Sequence, residues 1–400
     1  MSLLDLLSLE QAWETFYQYK LSLAVPKRFT SELRTFIDEK RYLPVCGGIA
    51  RGEPFPLPKK TVISKTGTDK KRTVYTYPKD ENTVLKLLTF LLLRKYDGVF
   101  SGNLYSFRPG RTAKDAVRKI VSTDGVYRMY AYKADIHDYF NSVPVGMLLP
   151  VLKKTLSDDE ELFLFLEKLL TEPRVLDKGR EAEERKGIMA GTPLSSFYAN
   201  LFLAELDRIF YEKGALYARY SDDIIVFSRS EKECAERAAL IKGFLSERNL
   251  EINPGKEEFF RPGDGIVFLG FSCSERGVDI APVTLKKLKA KMRRKRDALS
   301  RWSKRSGTGG EKAAKAFVRI FNRKFFEDPD DNSLSWSKWF FPVISVTDSL
   351  REIDRYAQDC LRYLISGTHR KARFNVRYED LKAVGYRNLV HAYYDYDKET

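Results

Sequence analysis

Between residues 81 and 271, short apolar and β-branched runs alternate with stretches in which apolar residues recur every three or four positions. The first pattern is typical of strands and the second of helices. Strands are predicted over Tyr130–Ile136 and on both sides of a tight turn within Leu216–Phe227. Helices are predicted over Ala113–Val121 and Glu231–Asn249. Because strands and helices alternate, we expect a mixed sheet covered by helices, which is an α+β fold.

Local signals predict further elements. Ser157–Glu160 has the Ser-x-x-Glu pattern of a capping box, which predicts a helix running to about Leu170. The glycine-containing loop Gly187–Pro193 leads into one long predicted helix, Leu194–Tyr211. Gly265–Phe271 reads as a short strand.

The two ends of the chain have a different pattern from this central part. Residues 1–45 are predicted to be helical, and Thr73–Tyr77 to be a strand. Thr284–Arg305 is a strongly basic predicted helix, and Ser306–Gly310 is a predicted flexible joint. A second helical region should then run to Thr400. The change of pattern predicts a boundary near residue 280.

The charge balance points to a polyanionic partner. Lys and Arg number 70 against 55 Asp and Glu, a formal charge of +15, and nucleic acid is the commonest partner of so basic a protein. A membrane is not expected as the partner, since the most apolar run, Val84–Leu93, includes Lys86 and is too short to cross a bilayer. Asp5 and Glu10 make a signal peptide unexpected at the N-terminus.

The cysteines and histidines suggest neither disulfides nor a zinc site. The four cysteines are scattered without paired spacing, and the three histidines do not fall at zinc-ligand spacing. This pattern predicts a reducing, cytoplasmic location.

The strongest chemical signal is Tyr220-Ser221-Asp222-Asp223 at the predicted turn. Adjacent carboxylates repel each other, and a divalent cation relieves that conflict. Magnesium is held by one or two carboxylates together with substrate phosphates. The alternative is an ordinary Asp-containing turn, which is common in proteins.

A second carboxylate favours the metal interpretation. Asp135 ends the predicted strand Tyr130–Ile136. If that strand pairs beside the Asp222 turn, Asp135 and Asp222 can share two ions, which clamp the attacking and leaving oxygens of an in-line displacement. The alternative is that Asp135 only caps the following turn.

In their order along the chain, motifs over roughly residues 60–275 resemble those of reverse transcriptases, particularly bacterial enzymes related to group II intron and retron proteins. Asp135–Phe140 resembles motif A, and Tyr220–Asp223 resembles motif C. Phe100–Arg111 is similar to the intron-type motif that precedes the palm. The resemblance implies two Mg²⁺ ions, for which Mn²⁺ can substitute. It places them at Asp135, Ile136, Asp222 and Asp223.

The resemblance also implies residues that handle the nucleotide. Lys71 and Arg72 resemble the fingers motif that grips the triphosphate, although a solvated basic turn is the alternative for both. Phe140 occupies the steric-gate position, which implies selection of deoxynucleotides, but plain core packing would also explain it. Ala190 and Gly191 lie in the segment similar to motif B. Most members of the family carry glutamine where Ala190 stands. The resemblance therefore does not imply the fidelity and template handling that are typical of the family.

Two further motifs and a basic helix complete the resemblance. Lys256 lies in the segment similar to motif D, whose lysine is implied to protonate the departing pyrophosphate; an exposed lysine after Pro-Gly needs no such explanation. Phe268–Phe271 resembles the primer grip. Lysines and arginines of the basic helix would contact phosphates and so bind nucleic acid regardless of its base sequence. The alternative is that they form an ordinary solvated helix face. The residues expected to contact nucleic acid are Arg108, Arg111, Phe268, Gly270, Lys291, Arg293, Arg294 and Arg296.

A right-hand polymerase is the implied architecture, with fingers, a palm built on an antiparallel sheet with helices, and a helical thumb. The expected domains are an N-terminal helical extension (1–49), fingers (50–130), a palm (131–279) with a fingers insertion at about 145–185, and a helical thumb and C-terminal region (280–400).

The implied function is RNA-directed DNA synthesis from deoxynucleoside triphosphates on an RNA template, with DNA as the product. The compact chain with its altered motif B is most similar to the defence-associated reverse transcriptases of bacteria, type 2 among them. That resemblance implies a noncoding RNA template and a role against phage. A retron enzyme remains open, as does a maturase-like protein that binds RNA and assists splicing. An RNA-templated RNA polymerase is disfavoured by Phe140 and the Phe107–Gly110 loop.

Overall fold

The computed structural model describes residues 1–64, 71–184, 186–328 and 333–399. Its strands are β1 (Lys59–Ser64), β2 (Lys71–Thr76), β3 (Tyr130–Asp135), β4 (Arg174–Asp177), β5 (Arg180–Glu183), β6 (Tyr217–Tyr220), β7 (Asp223–Ser228), β8 (Glu258–Phe260), β9 (Ile266–Phe268), β10 (Phe271–Ser274) and β11 (Gly277–Ile280).

The α-helices before the end of β8 are α1 (Leu3–Leu6), α2 (Glu10–Leu21), α3 (Lys27–Asp38), α4 (Tyr42–Ala50), α5 (Lys79–Lys95), α6 (Ala113–Val121), α7 (Tyr139–Ser142), α8 (Val145–Thr155), α9 (Glu160–Thr171), α10 (Ser195–Phe202), α11 (Ala204–Glu212) and α12 (Glu231–Ser246). Those after it are α13 (Pro282–Ser306), α14 (Gly310–Phe325), α15 (Trp336–Phe340), α16 (Asp348–Ser366), α17 (Tyr378–Ala383) and α18 (Leu389–Glu399).

The chain forms two compact units. The first comprises residues 1–23 and 28–264, and the second comprises residues 24–27 and 265–400. Within the described ranges, no helix combines the length and the apolar character that a membrane span requires.

The first unit is built around an antiparallel sheet of strand order β6-β7-β3-β8. Its two middle strands, β3 and β7, are largely buried, which agrees with their apolar and β-branched sequences. Helix α12 packs against β3 and β7, while α6 and α11 pack against β6. The expected α+β fold, an antiparallel sheet covered by helices, is thereby confirmed.

A second sheet in this unit has the order β2-β1-β4-β5. Strand β1 pairs antiparallel with β2 and parallel with β4. Lys60 on β1 is held across the sheet by an ion pair of 2.7 Å with Glu184. This sheet carries β2, and therefore Arg72, into the same unit as β3.

Aromatic packing closes the N-terminal helices onto α5. The Trp13 ring of α2 lies 5.3 Å from Phe36 and 5.0 Å from Tyr42, centroid to centroid. Its indole N–H donates to the Leu7 carbonyl at 2.7 Å, so the one polar atom of this buried side chain is satisfied. Phe16 packs on Phe90 of α5 at 5.2 Å.

Two local expectations are wrong. The N-cap of α9 is Asp159 rather than Ser157: the Asp159 carboxylate accepts from Leu162 N at 3.3 Å and also from Leu3 N and Ser2 Oγ, so it joins α9 to the start of the chain. The long helix predicted after Pro193 is two helices, α10 and α11, separated at Leu203. Near this break, the Arg219 side chain donates a hydrogen bond to the Asn200 carbonyl.

In the second unit, β9, β10 and β11 form an antiparallel sheet of order β11-β10-β9. The basic helix α13 begins with Pro282, whose fixed φ suits a first helical turn, and ends at Ser306, where Gly307 in the left-handed region (φ +63°) follows it. Helices α14 and α16 pack against α13. The buried Asp354 carboxylate of α16 accepts from Tyr386 Oη and from Leu389 N, which secures α18.

Candidate active site

The three predicted carboxylates meet at one end of the central sheet. Asp135 is the last residue of β3 and lies directly opposite Asp223, the first residue of β7. Asp222 occupies the turn between β6 and β7, and its carbonyl accepts from Ile136 N at 3.1 Å. Strand pairing and this hydrogen bond therefore bring Asp135, Ile136, Asp222 and Asp223 together.

Asp135 is the most enclosed of the three carboxylates, with 3% of the residue exposed. Its Oδ2 forms an ion pair with Lys256 Nζ, and its Oδ1 lies 3.5 Å from Asn253 Nδ2. The Asn253 N–H donates to the Asp135 carbonyl at 2.8 Å, so the segment that carries Lys256 is tied to the end of β3 by its backbone. The Lys256 side chain is about half exposed.

For Asp222 and Asp223, burial and neighbouring negative charges disfavour the ionised carboxylate. Burial raises the pKa of Asp223 to about 7, with further contributions from the negative charges of Asp222 and Asp135. Burial also raises the pKa of Asp222, and the negative charge of Asp135 raises it further. Lys256 offsets these effects only in part, and this excess of negative charge would be relieved by a bound cation.

The donor set fits magnesium. The carboxylates supply hard oxygen donors, the ligands Mg²⁺ prefers, and Mg²⁺ commonly takes its remaining ligands from water and substrate phosphates. Among the described residues, no three acidic, histidine or cysteine side chains lie close enough together to hold a metal ion by themselves. Substrate phosphates and water would therefore have to supply further ligands to an ion bound here.

Behind the turn lies a fully buried ion pair that sequence reasoning missed. Arg219 Nε and Nη2 bind the two oxygens of Asp207 at 2.8 and 2.6 Å, and neither side chain is exposed. Arg219 also donates to the Ser221 carbonyl at 3.1 Å and to the Asn200 carbonyl at 3.1 Å. Tyr217 Oη donates to Asp207 at 2.9 Å. One guanidinium thus joins α10, α11 and the carboxylate turn.

Arg219 had a detectable signal in the sequence. Arg219 stands between Ala218 and Tyr220 in an otherwise apolar predicted strand, where an arginine is rarely fully buried unless it is paired. The partner of Arg219 could not be identified from the sequence, because Asp207 lies twelve positions earlier in a different element.

A hydroxyl on the other side supports the same turn. Ser221 has a left-handed backbone (φ +60°), and its N–H donates to Ser106 Oγ at 2.9 Å. Ser106 Oγ in turn donates to Asn200 Oδ1 at 3.0 Å, and Asn200 Nδ2 returns a bond of 2.8 Å to the Ser106 carbonyl. All three residues are buried. The unusual backbone of the turn is therefore determined from both sides.

The predicted nucleotide-handling residues also come together. The Arg72 guanidinium of β2 lies 5.8 Å from the centre of the Phe140 ring on α7. The Phe140 carbonyl accepts from Ile188 N at 2.9 Å. The Ala190 carbonyl accepts from Tyr75 N at 2.8 Å, so the loop resembling motif B is joined to β2. Lys71 is exposed at the start of β2.

Glycine is required at two points in that loop. A Cβ on Gly187 (φ +51°) would lie 2.6 Å from the Phe140 carbonyl oxygen, and a Cβ on Gly191 (φ +99°) would lie 3.1 Å from the Tyr75 carbonyl oxygen. Any side chain at Gly187 would force the loop away from α7.

Asn141 links these parts and was missed from the sequence. Its Nδ2 donates to the Thr73 carbonyl at 3.4 Å and to Asp138 Oδ1 at 3.2 Å, and its Oδ1 accepts from Ala190 N at 3.3 Å. One amide side chain on α7 therefore contacts β2, the N-cap of its own helix and the loop. An asparagine after Phe140 carries no sequence signal that would distinguish this role from an ordinary helix-end polar residue.

The two arginines of the Phe100–Arg111 segment, Arg108 and Arg111, are engaged inside the first unit. Arg108 is buried and binds both carboxylate oxygens of Asp97, at 2.7 and 2.9 Å, as well as the Ser101 carbonyl. Arg111 donates to the Gly102 carbonyl at 2.5 Å. These contacts favour a structural role for Arg108. Contact with nucleic acid stays a prediction for both.

The remaining predicted contacts lie in the second unit. Phe268 of β9 is buried, and Gly270 (φ +89°) accepts at its carbonyl from Ala281 N. On α13, Arg296 pairs with Asp297 at 2.7 Å and lies 5.0 Å from the centre of the Tyr363 ring. Of the predicted contacts on α13, Lys291, Arg293 and Arg294 are exposed, as are five further cations of that helix: Lys286, Lys287, Arg301, Lys304 and Arg305.

Comparison with known proteins identifies the family to which the central part of the chain belongs. Residues 57–273, more than half of the chain, match the family described as reverse transcriptase (RNA-dependent DNA polymerase). A protein of Schizosaccharomyces pombe, an uncharacterised 91 kDa protein in cob intron, is 23% identical over 203 residues, which are 48% of this chain and 25% of that protein. Nuclear intron maturase 2, mitochondrial, of Arabidopsis thaliana is 29% identical over 109 residues, which are 27% of this chain and 15% of that protein.

The chain thus spans at most a quarter of the length of these two relatives. Among solved structures, telomerase from Candida albicans in complex with a fragment of telomeric RNA is 11% identical, with 88% of this chain and 71% of that chain covered and a TM-score of 0.47. That score is too low to establish a shared fold by itself. The match over residues 57–273 does establish the family, and the chain belongs to the reverse transcriptases.

Proposed function

We propose that this protein is an RNA-directed DNA polymerase that adds deoxynucleotides to a primer 3′ end on an RNA template. The observation that carries the proposal is the convergence of Asp135, Asp222 and Asp223 at one end of the central sheet, beside Arg72 and Phe140 in the same unit. Phosphoryl transfer depends on positioning and charge neutralisation more than on covalent catalysis, and this arrangement offers both.

Asp135, Asp222 and Asp223 would hold two Mg²⁺ ions, with Ile136 at the same edge and Mn²⁺ as a substitute. When bound, the ions would activate the primer hydroxyl and neutralise charge on the triphosphate. Arg72, with Lys71 beside it, would bind the triphosphate.

Lys256 would donate a proton to the departing pyrophosphate. Its ion pair with Asp135 shows that its ammonium group reaches the carboxylates, and binding of a cation to Asp135 would release it toward the substrate. Lys256 would therefore be able to donate its proton only when a cation, rather than Lys256 itself, is bound to Asp135.

The biological setting proposed is bacterial antiphage defence in the cytoplasm, with a dedicated noncoding RNA as template. The resemblance to defence-associated reverse transcriptases supports it, together with the departure at position 190. Ala190 uses its backbone N–H and carbonyl to join Asn141 and Tyr75, and its small side chain is buried. The usual glutamine contact would therefore be absent, which suits an enzyme that copies one particular template.

A second candidate is an RNA-binding protein that assists splicing. Similarity to the Arabidopsis protein named as an intron maturase favours it. A protein that had lost synthesis would be expected to lose a carboxylate, whereas this chain keeps Asp135, Asp222 and Asp223. Polymerase activity is therefore the stronger proposal.

The deciding experiment is to purify the protein with its co-bound nucleic acid, add Mg²⁺ and labelled deoxynucleotides, and sequence template and product. A DNA product copied from one particular RNA, and absent with the Asp222→Asn protein, is the expected result. Bound RNA without any product across several primers, with Mg²⁺ and with Mn²⁺, would favour the splicing-assisting protein.

Replacement of Phe140 should change sugar selection. Phe140→Val removes most of the ring that would clash with a ribose 2′-hydroxyl, so we expect ribonucleotide incorporation relative to deoxynucleotide incorporation to rise by about 10- to 200-fold. Single-nucleotide extension with dNTP and rNTP pairs measures it. The matched control is Phe140→Tyr, which keeps the ring and should keep the discrimination. Unchanged selection in Phe140→Val would remove Phe140 from this role.

A further inference from the structure

A groove of about 680 Å³ lies in the first unit between α4 and α9, beside α1. The residues of α4 that line it are spaced so that they share one face of that helix: Leu43, Cys46, Gly47 and Ala50. The residues of α9 that line it have the same spacing: Glu161, Leu164, Phe165 and Lys168. Each wall is therefore a single helix face, and two such walls form the shape that accepts a third helix.

Helix α4 has the composition of an enclosed helix. Its nine residues include no charged side chain, and a helix of this kind is normally covered on all sides. Yet only Tyr42 and Cys46 are buried, and Leu43 is 43% exposed. The described part of the chain therefore leaves one apolar face of α4 uncovered.

The opposite wall carries a matching apolar residue. Leu164 of α9 is 46% exposed, whereas Phe163 and Leu166 on the same helix are buried. Phe165 is half-buried beside it and packs edge to face on Phe55, with ring centroids 5.6 Å apart. One partner lying in the groove would remove Leu164, and Leu43 across from it, from water, which is favourable in proportion to the apolar area covered.

The charge of the lining indicates the chemistry of that partner. Three lining residues are acidic, Asp5, Glu53 and Glu161, and one, Lys168, is basic. Cations outnumber acids by 70 to 55 in the whole chain, so the lining is opposite in sign to the protein as a whole. Of the three carboxylates, only Glu53 has an ion pair among the described residues, with Arg51 at 2.7 Å. The lining therefore favours a cationic partner and would repel the phosphates of nucleic acid.

The basic helix α13 of a second copy does not match the groove. Its apolar residues Leu285, Leu288 and Met292 are buried within the second unit. The large apolar residues that α13 does expose, Val283 and Trp302, lie near its opposite ends. The exposed side of α13 therefore offers charge without the apolar stripe that Leu43 and Leu164 require.

We propose that the groove between α4 and α9 binds an amphipathic helix of another protein. The apolar face of that helix would cover Leu43 and Leu164, and lysines or arginines beside that face would lie against Asp5 and Glu161. The inference does not depend on the proposed function. The groove shares no residue with the candidate active site, so this partner and a polymerase substrate would not compete for the same side chains.

The test uses the full-length protein and a labelled synthetic peptide of about 14 residues, about 21 Å long as a helix, with leucines on one face and lysines on both flanks. Fluorescence anisotropy should show saturable binding in the micromolar range. Leu43→Ser and Leu164→Ser should each weaken it about five- to tenfold, because each removes an apolar contact of a half-exposed side chain. Glu161→Gln should weaken it about two- to fivefold at low ionic strength and less at high salt.

Matched variants separate the groove from general effects on surface and stability. Leu21→Ser changes an exposed leucine on α2, and Glu236→Gln changes an exposed acid on α12; both should leave peptide affinity unchanged. Leu164→Met keeps an apolar side chain and should keep most of the affinity. All variants should melt at the temperature of the original protein, followed by circular dichroism. A peptide of the same composition with its leucines scattered around the helix should bind at least about tenfold more weakly.

Three results would overturn the proposal. The first is no saturable binding, or equal binding of the original and the scattered peptide. The second is peptide affinity that is unchanged in Leu43→Ser, Leu164→Ser and Glu161→Gln. The third is a different occupant: sedimentation velocity that shows dimers lost in Leu164→Ser would indicate a second copy, and weakened binding of a labelled oligoribonucleotide in that variant would indicate nucleic acid. Loss of peptide affinity in the groove variants alone, with a monomeric protein and unchanged RNA affinity, would support the proposal.

Discussion

Asp222→Asn should lower the rate of DNA synthesis by at least about 10³-fold, the scale that loss of one preorganised electrostatic group reaches. The substitution keeps the shape of the side chain and removes the negative charge that would hold a cation. The Asp222 carbonyl accepts a hydrogen bond from Ile136 N, and because the substitution changes only the side chain, this backbone bond should remain. Primer extension under single-turnover conditions, on an RNA template with Mg²⁺, measures the effect.

The same substitution should not destabilise the fold. Three carboxylates repel one another at this end of the sheet, and removing one charge should leave the melting temperature equal or slightly higher. Asp124→Asn, at an exposed position, is the matched control for a lost negative charge and should synthesise normally. Synthesis at the original rate by Asp222→Asn would contradict the metal assignment, and with it the proposed chemistry.

Asp207→Ala should lower the free energy of unfolding by about 3–5 kcal/mol, the cost of leaving a buried charge without its partner. Arg219 would then lack both oxygens that now bind its Nε and Nη2, in a position without solvent exposure. Urea denaturation followed by circular dichroism measures the change. Glu205→Ala removes a partner from the more exposed ion pair between Glu205 and Arg248, also on α11, and should cost less than about 1 kcal/mol.

A double variant separates stability from positioning of the turn. Asp207→Leu together with Arg219→Met replaces the buried pair by apolar side chains, which is often neutral or stabilising. We expect the double variant to recover most of the lost stability yet to synthesise slowly, because Ser221 and Asn200 would lose their donor. If Asp207→Ala unfolded no more easily than Glu205→Ala, the importance of the buried pair would be refuted.

Sequence reasoning succeeded where a pattern is repeated over several residues. Helix α6 begins and ends as predicted, at Ala113 and Val121, and β3 ends at Asp135. The condition set for a shared metal site, that this strand pairs beside the Asp222 turn, is met by the register with β7. Periodicity and a short turn are local, so they can be identified without knowing what packs against them.

It failed where contacts from distant elements decide the outcome. Asp159 caps α9 because it also binds the first residues of the chain, and no pattern near Ser157 indicates this. Strands β10 and β11 were missed because each has only four residues, too few for a repeated pattern to be recognised. The boundary near residue 280 stays a prediction, as do the fingers, palm and thumb assignments.

For the site, the sequence indicated the residues that carry chemistry better than those that position them. Asp135, Asp222 and Asp223 follow from chemistry at a turn and a strand end. Arg219 and Asn141 act through carbonyl and amide contacts that span three elements each, and the partners in such contacts cannot be identified from a local pattern.

The unbroken register between β3 and β7 constrains how this protein can change over generations. Asp135 faces Asp223 only because Tyr130–Asp135 and Asp223–Ser228 have matched lengths without a bulge, and β8 pairs with β3 along its other edge. A single inserted or deleted codon in either strand would turn the carboxylate to the opposite face of the sheet. Lineages should therefore accumulate substitutions in these strands but no length changes, so the placement of alignment gaps should identify distant descendants after residue identity has faded.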